Sequence, residues 1–294
     1  MMCMKVMTTY VNEVEITKYE PKLQLPKSGV ILIVARTDSG KTVLVRDLLK
    51  HCRKRCYLCI AMVGSLDTAA EYSMHIPNTF IYNQFDEKRL EQMYAQAEKW
   101  KAEGKTRYIT IVLDDLMFLG KSMLKSEILK KIFFNCRHAN ILLFLVLQDS
   151  KGIGPDHRAQ IRDVFLLQEK NPELRKRIYQ SYNPCFHSFK EFDYVCRALT
   201  QNYEAMVIRN VNTGSDTVES NVFWYKAQYP VKKFRIPTKK KNKKVWQYNR
   251  KYFNVQYLKK KQTYDILVAN EHAKETTYEK NQKPLIRKIK KKRK

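Results

Sequence analysis

The chain has 294 residues, and its 56 Lys and Arg against 29 Asp and Glu give a formal net charge of +27. Seven scattered cysteines are an odd number in a chain long enough to bury a full core, which points to free thiols in a reducing compartment and excludes a disulfide framework. No run reaches the roughly eighteen apolar residues of a membrane span, and Met1 to Tyr10 lack the apolar core of a secretory signal, so neither a span nor secretion is expected.

Residues 1–27, with Pro21 and Pro26, are expected to pack on a sheet edge or on a neighbouring subunit. Val30-Ile31-Leu32-Ile33-Val34 then passes straight into Ala35-Arg36-Thr37-Asp38-Ser39-Gly40-Lys41-Thr42. A stiff apolar strand that ends in this spacing and opens a helix, here over residues 43–52, is a phosphate-binding loop. Ala35, Arg36, Thr37, Asp38, Ser39, Gly40, Lys41, Thr42 and Val43 would surround the phosphates of ATP at the helix N-terminus. Lys41 would reach the β- and γ-phosphates, and the Thr42 hydroxyl would take one position on Mg²⁺. Gly-Lys-Thr occurs by chance in many proteins; the strand before it and the amphipathic helix after it give it weight. Ala35 stands where glycine is commoner. Asp38 sets a carboxylate near phosphate charge and should weaken nucleotide affinity unless it faces solvent or pairs with Arg36.

The second strand is expected over residues 56–63. His51, Cys52, Cys56 and Cys59 suggest zinc, but strand alternation puts Cys56 and Cys59 on opposite faces and no second pair with ligand spacing follows, so zinc is not expected. A short strand near Phe80-Ile81-Tyr82 precedes a helix over residues 87–103, with Leu90, Met93, Tyr94 and Ala97 on one stripe. Tyr108-Ile109-Thr110-Ile111-Val112-Leu113 reads as a strand buried on both faces and ends in Asp114-Asp115. Two carboxylates there suit phosphoryl transfer, Asp114 on the metal and Asp115 on the attacking water. An acidic pair after a strand also serves as a turn or a helix cap; the loop upstream favours the chemical role.

A helix over residues 125–136 and the turn Arg137-His138 lead to another buried run, residues 140–147, followed by Gln148. A glutamine at that strand tip can hydrogen-bond the γ-phosphate or the water. A short helix, a strand over residues 164–167 and helices over 172–182 and 189–199 follow. This alternation predicts an α/β fold, a mainly parallel central sheet with helices on both faces.

Taken in order, the loop of residues 35–42, Leu113-Asp114-Asp115, Arg137-His138, Gln148, and Pro155 with Ile161-Arg162 resemble the genome-packaging ATPases of large double-stranded DNA viruses. This poxvirus-type family belongs to the FtsK–HerA superfamily of P-loop NTPases. The likeness covers roughly residues 28–235 and extends through Phe189-Lys190-Glu191-Phe192, Tyr203 to Ile208, and Phe223-Trp224-Tyr225-Lys226-Ala227. It implies ATP hydrolysis with Mg²⁺, coupled to movement of double-stranded DNA into a preformed capsid. A ring of five or six copies and a capsid or portal vertex are the implied partners, in the host cytoplasm at viral factories, in the virion, or in the nucleus. By the same likeness Gln148 matches a sensor, and Arg137 and Arg162 match arginines at subunit boundaries; which of them enters a neighbour's site stays open. Asp115 is one methylene shorter than the glutamate usual in the superfamily, although packaging relatives carry Asp-Asp.

The charge is uneven. Residues 229–294 hold 23 Lys and Arg against 4 Asp and Glu, a net +19 that leaves +8 for the first 228 residues. Lysine and arginine neutralise phosphates and give sequence-independent, salt-sensitive binding. Lys239-Lys240-Lys241-Asn242-Lys243-Lys244 is followed by Trp246, Tyr248, Tyr252, Phe253 and Tyr257, then Lys259-Lys260-Lys261. These aromatics could stack on bases or pack as a small folded extension. The terminal run Arg287 to Lys294 reads as a disordered basic end that contacts DNA, directs nuclear import, or anchors to acidic surfaces. The sequence thus divides into an edge segment (1–27), a P-loop ATPase domain (28–236) and a basic, partly disordered extension (237–294). The same residues leave three other readings open: a P-loop nucleoside kinase with Arg175-Lys176-Arg177 as its lid, a non-catalytic DNA-binding virion protein, and a helicase or chromosome-partitioning pump.

Overall fold

The computed structural model describes residues 4–8, 11–116, 121–150, 152–182, 185–211 and 217–251. Its strands are β1 (Met4–Thr8), β2 (Val11–Lys18), β3 (Gly29–Val34), β4 (Cys56–Val63), β5 (Ile81–Tyr82), β6 (Tyr108–Asp114), β7 (Ile141–Leu147), β8 (Ile161–Leu166), β9 (Glu204–Arg209) and β10 (Val222–Lys226). The helices are α1 (Pro21–Gln24), α2 (Lys41–Cys52), α3 (Leu66–Ser73), α4 (Glu87–Ala102), α5 (Lys121–Lys125) and α6 (Glu127–Asn135). They continue as α7 (Pro155–Gln160), α8 (Pro172–Tyr182), α9 (Phe189–Leu199), α10 (Val218–Asn221) and α11 (Lys243–Lys251).

All ten strands join one sheet in the order β1-β2-β10-β9-β8-β3-β7-β6-β4-β5. The six from β5 to β8 are parallel, and β9 turns antiparallel against both β8 and β10. The N-terminal segment extends the sheet, with β2 lying parallel to β10 through Thr17 opposite Phe223. Both faces of the parallel region are covered, so its strands carry continuous apolar runs instead of alternating ones. Val30, Leu32 and Val34 share a core with Leu90 and Tyr94 of α4, Ile132 of α6 and Leu199 of α9. Ile31 and Ile33 point to the other face and are equally sealed from water. Helices α3, α4, α6 and α9 begin at Ser65, Asp86, Ser126 and Ser188, whose side chains each accept a first-turn N–H.

Two expectations change, and the start of the extension takes one of the forms left open for it. The pairing of β4 with β6 shifts register between Cys56 and Leu58, and this irregularity breaks the strict alternation that would leave Cys56 and Cys59 on opposite faces; the Cys56 thiol donates to the Leu58 carbonyl at 3.1 Å. Both are free and buried, as is Cys52. The eighth strand begins at Ile161, three residues before the expected start, because α7 ends there and Asp163 is accepted into the sheet. The basic extension is folded at its start: Asn242 Nδ2 donates to the Tyr57 carbonyl at 2.8 Å, and Trp246 Nε1 donates to the Pro237 carbonyl at 2.7 Å. Thr79 N–H donates to Asn249 Oδ1 at 2.9 Å, so α11 is docked beside the 3₁₀ turn Asn78–Phe80. Of the two roles open to the aromatics, Trp246 takes packing. Tyr252, Phe253, Tyr257, Lys259-Lys260-Lys261 and the run Arg287 to Lys294 lie outside the described residues.

Candidate nucleotide site

The strand order sets the site. β7 lies between β3 and β6, so the carboxyl ends of these strands present Gln148, the phosphate loop and Asp114-Asp115 along one edge. The loop leaves β3 through buried Ala35, whose N–H donates to the Leu147 carbonyl at 2.9 Å. It closes at Gly40, the N-cap of α2, with φ +88° in the left-handed region that glycine adopts without strain. Gly40 has no side chain to occupy the amides of the first turn, which therefore face the loop with the positive end of the helix dipole. Lys41, Thr42 and Val43 form that first turn and are each half-buried.

The strand β6 ends in an abrupt reversal. Asp114 continues its pleat, while Asp115 adopts φ +57°, a left-handed conformation that aspartate tolerates better than most residues. That turn swings the Asp115 carboxylate across β7. Lys41 Nζ donates to Asp115 Oδ2 at 2.9 Å, and Gln148 Nε2 donates to Asp115 Oδ1 at 2.8 Å. Lys41, Asp115 and Gln148, which come from three separate parts of the sequence, form one hydrogen-bonded chain.

Asp114 is wholly buried on the face of α3, where its Oδ2 accepts from the Tyr72 hydroxyl at 2.8 Å. Burial pushes its carboxyl up to about 6, against the opposing pull of the Tyr72 hydroxyl and Lys41. Its Oδ1 is buried without a hydrogen-bond partner among the described residues. An orphaned carboxylate oxygen at the strand-end edge that also carries the phosphate loop fits a Mg²⁺ that keeps water and phosphate oxygens as its other ligands. Among the described residues no three His, Cys, Asp or Glu side chains converge as a cage. Tyr72 and all of α3 were absent from the expected elements; the signal was Ser65 with Asp67 in the first turn after it, a helix start. Tyr72→Phe is expected to lower stability by about 1–3 kcal/mol, because the ring still fills its place while Asp114 loses its hydroxyl partner. An unchanged urea midpoint would show that this bond does not hold Asp114.

Asp38 is exposed to solvent at φ +60°, and Thr37 beside it is exposed too. Arg36 pairs with Glu169 at 2.9 Å instead of with Asp38. Arg137 is exposed in the turn from α6 to β7, and Arg162 is the second residue of β8, with its side chain beside Gly29. Both stand at the amino edge of the sheet, opposite the loop, so the fold does not bring either to the cluster of its own chain.

Fold and site together define a P-loop NTPase. The chain belongs to the family described as Poxvirus A32 protein, which matches residues 20–211. Protein 015R of Frog virus 3 (isolate Goorha) is 30% identical over 201 residues, 68% of this chain and 62% of the relative, so the chain spans less than two thirds of that relative's length. Protein L437 of Acanthamoeba polyphaga mimivirus is 26% identical over 227 residues, 74% of this chain and 78% of the relative. Among solved structures, the genome packaging NTPase B204 from Sulfolobus turreted icosahedral virus 2 in complex with sulfate superposes with a TM-score of 0.50 at 16% identity, over 71% of this chain and 100% of that one. The pCW3 conjugation coupling protein TcpA, monomer form with ATPγS, gives 0.50 at 16% identity, over 83% and 69%. These structures share its fold.

Proposed function

We propose that this chain is an ATP-driven motor that moves double-stranded DNA into a preformed viral capsid, working as a ring of identical copies. The observation that carries the reading is the Lys41–Asp115–Gln148 chain at the mouth of the phosphate loop. Family membership supports it, and B204, described as a genome packaging NTPase, has the same fold. Mg²⁺ held through Thr42 and Asp114 would neutralise charge on the β- and γ-phosphate oxygens. Lys41 exchanges Asp115 for those oxygens when ATP enters, and the released carboxylate orients the attacking water. Gln148, bonded to Asp115 before ATP binds, reports the loss of γ-phosphate when Lys41 returns. Because Arg137 and Arg162 lie at the far edge, an arginine that neutralises the transition state comes from an adjacent copy, which makes hydrolysis depend on the ring. The capsid or portal vertex is the docking partner, in cytoplasmic factories, the virion or the nucleus.

A basic cleft in the described domain supports the reading of DNA contact. A cleft of about 530 Å³ at the C-terminal end of α2 is lined by Arg53, Lys233, Phe234, Arg235, Thr238 and Lys239. Four cations around one shallow groove suit a phosphodiester backbone read without regard to sequence. The deciding experiment is ATP turnover with and without long duplex, alongside duplex binding at several salt concentrations. Duplex is expected to stimulate hydrolysis, and Lys233→Ala with Lys239→Ala to reduce the salt slope by about one per lysine. Phosphorylated product without DNA stimulation would instead mark a kinase. Its cationic lid is already depleted: Arg175 is buried against Asp193 and the Glu169 carbonyl, and Arg177 binds Asp149 at 2.7 Å.

A further inference from the structure

The γ-phosphate end of the site lies toward β6 and β7, where Lys41, Asp115 and Gln148 meet. A nucleotide seated on the loop therefore leads its nucleoside the other way, toward β8 and β9. On that side the loop borders a cleft of about 700 Å³, formed by Asp38 and Ser39, by Gln168 and Glu169 after β8, and by the turn before β9 that ends in Tyr203. That volume falls within the range of small-molecule sites.

Tyr203 is the unusual member. It is 70% exposed. Its backbone at φ +61° follows Asn202 at φ +52°, two consecutive left-handed residues that lift the ring out of the turn. The ring lies against the phosphate loop, where a Cβ placed on Gly40 would come within 3.1 Å of Cδ1. The opposite wall is fixed: Glu169 accepts from Arg36 at 2.9 Å and from the Asn171 N–H at 2.7 Å, while Arg175 grips its carbonyl at 2.6 Å. Exposed amides of Gln168 and Asn202 stand at the rim and can both donate and accept.

We infer that this cleft binds the base of the nucleoside triphosphate, a purine stacked on Tyr203 with its polar edge read by the side-chain amides of Gln168 and Asn202. Asp38 then offers acceptors to the ribose hydroxyls, which gives a use to the one loop residue that clashed with a phosphate role. The inference rests on the nucleotide reading above and adds the specificity that the loop lacks, since backbone amides and Lys41 hold any triphosphate alike. Stacking on an aromatic ring supplies about a thirtyfold gain in affinity per base at the middle of its range.

The test is equilibrium binding of ATP, CTP and inorganic tripolyphosphate, each with Mg²⁺, to the full chain and to Tyr203→Ala and Tyr203→Phe. Tyr203→Ala should weaken ATP about thirtyfold, leave tripolyphosphate unchanged, and erase the preference for ATP over CTP. Tyr203→Phe should keep the affinity for ATP, because the ring supplies the contact. Equal binding of ATP by wild type and Tyr203→Ala would overturn the inference, and so would parallel loss of ATP and tripolyphosphate, which would make Tyr203 a support of the loop. Lys41→Ala separates the two readings, since it must weaken both ligands if the loop holds phosphate at all. Wild-type protein that binds none of the three would remove the nucleotide reading and this one with it.

Discussion

Asp115→Asn is expected to lower ATP turnover by about 10²–10⁴-fold while nucleotide affinity stays close to that of the wild type. The substitution keeps shape and volume at a residue held at φ +57°, and asparagine tolerates that conformation as well as aspartate does. An amide oxygen there still accepts from Lys41, while the new NH2 group faces Gln148, whose side-chain amide must turn to present Oε1 for the resting cluster to survive. What is lost is the negative charge that orients and draws a proton from water, an interaction made only as the new bond forms. The loss should therefore fall on kcat and leave the dissociation constant for ATP alone. Single-turnover hydrolysis with a parallel binding titration checks it, and unchanged turnover would remove Asp115 from the chemistry.

Lys41→Ala is expected to cost about a thousandfold in kcat/KM, and, unlike the first variant, to weaken ATP binding as well. The lysine stem is largely covered, with 11% of the side chain exposed, so the ammonium is confined between Asp115 and the loop. Its removal takes away the charge that meets the β- and γ-phosphates in both ground and transition states. It also leaves Asp115 without its 2.9 Å partner before ATP arrives. Because the two residues act as a unit, Lys41→Ala combined with Asp115→Asn should be no more than slightly worse than Lys41→Ala by itself. Multiplied losses would mean that they serve separate steps. A truncation meant to remove the basic tail without touching this domain starts at residue 252, since a cut at 239 also removes α11 with the Asn242 and Trp246 contacts.

Much of this arrangement is written locally. Val30 to Val34, Tyr108 to Leu113 and Ile141 to Leu147 declare themselves as buried strands because a run of β-branched and leucine side chains can be shielded on both faces only inside a covered parallel sheet. Gly40-Lys41-Thr42 and Asp114-Asp115 are equally legible, since each is a short spacing at a strand end, although the partners of the acidic pair are distant in sequence. Alternation fails as a guide at Cys56 and Cys59, where a register shift between Cys56 and Leu58 interrupts it. The helix α3 is easy to overlook because its eight residues bury Ala69 and Tyr72 without a broad apolar stripe. The extension reads as a charged tail because lysine dominates it, while its docking depends on Asn242, Val245 and Trp246, three residues among many cations.

The sequence by itself determined the parallel α/β architecture, the phosphate loop and the acidic and glutamine strand ends, all of them properties of short segments. Tertiary structure decided which of these meet: that β7 inserts between β3 and β6, so that Gln148 and Lys41 share one carboxylate. It also decided that Tyr72 holds Asp114 and that Tyr203 rests on Gly40. Strand order and register arise from how whole faces pack against one another, and contacts between residues far apart in the chain are set by that packing, which no window along the sequence contains.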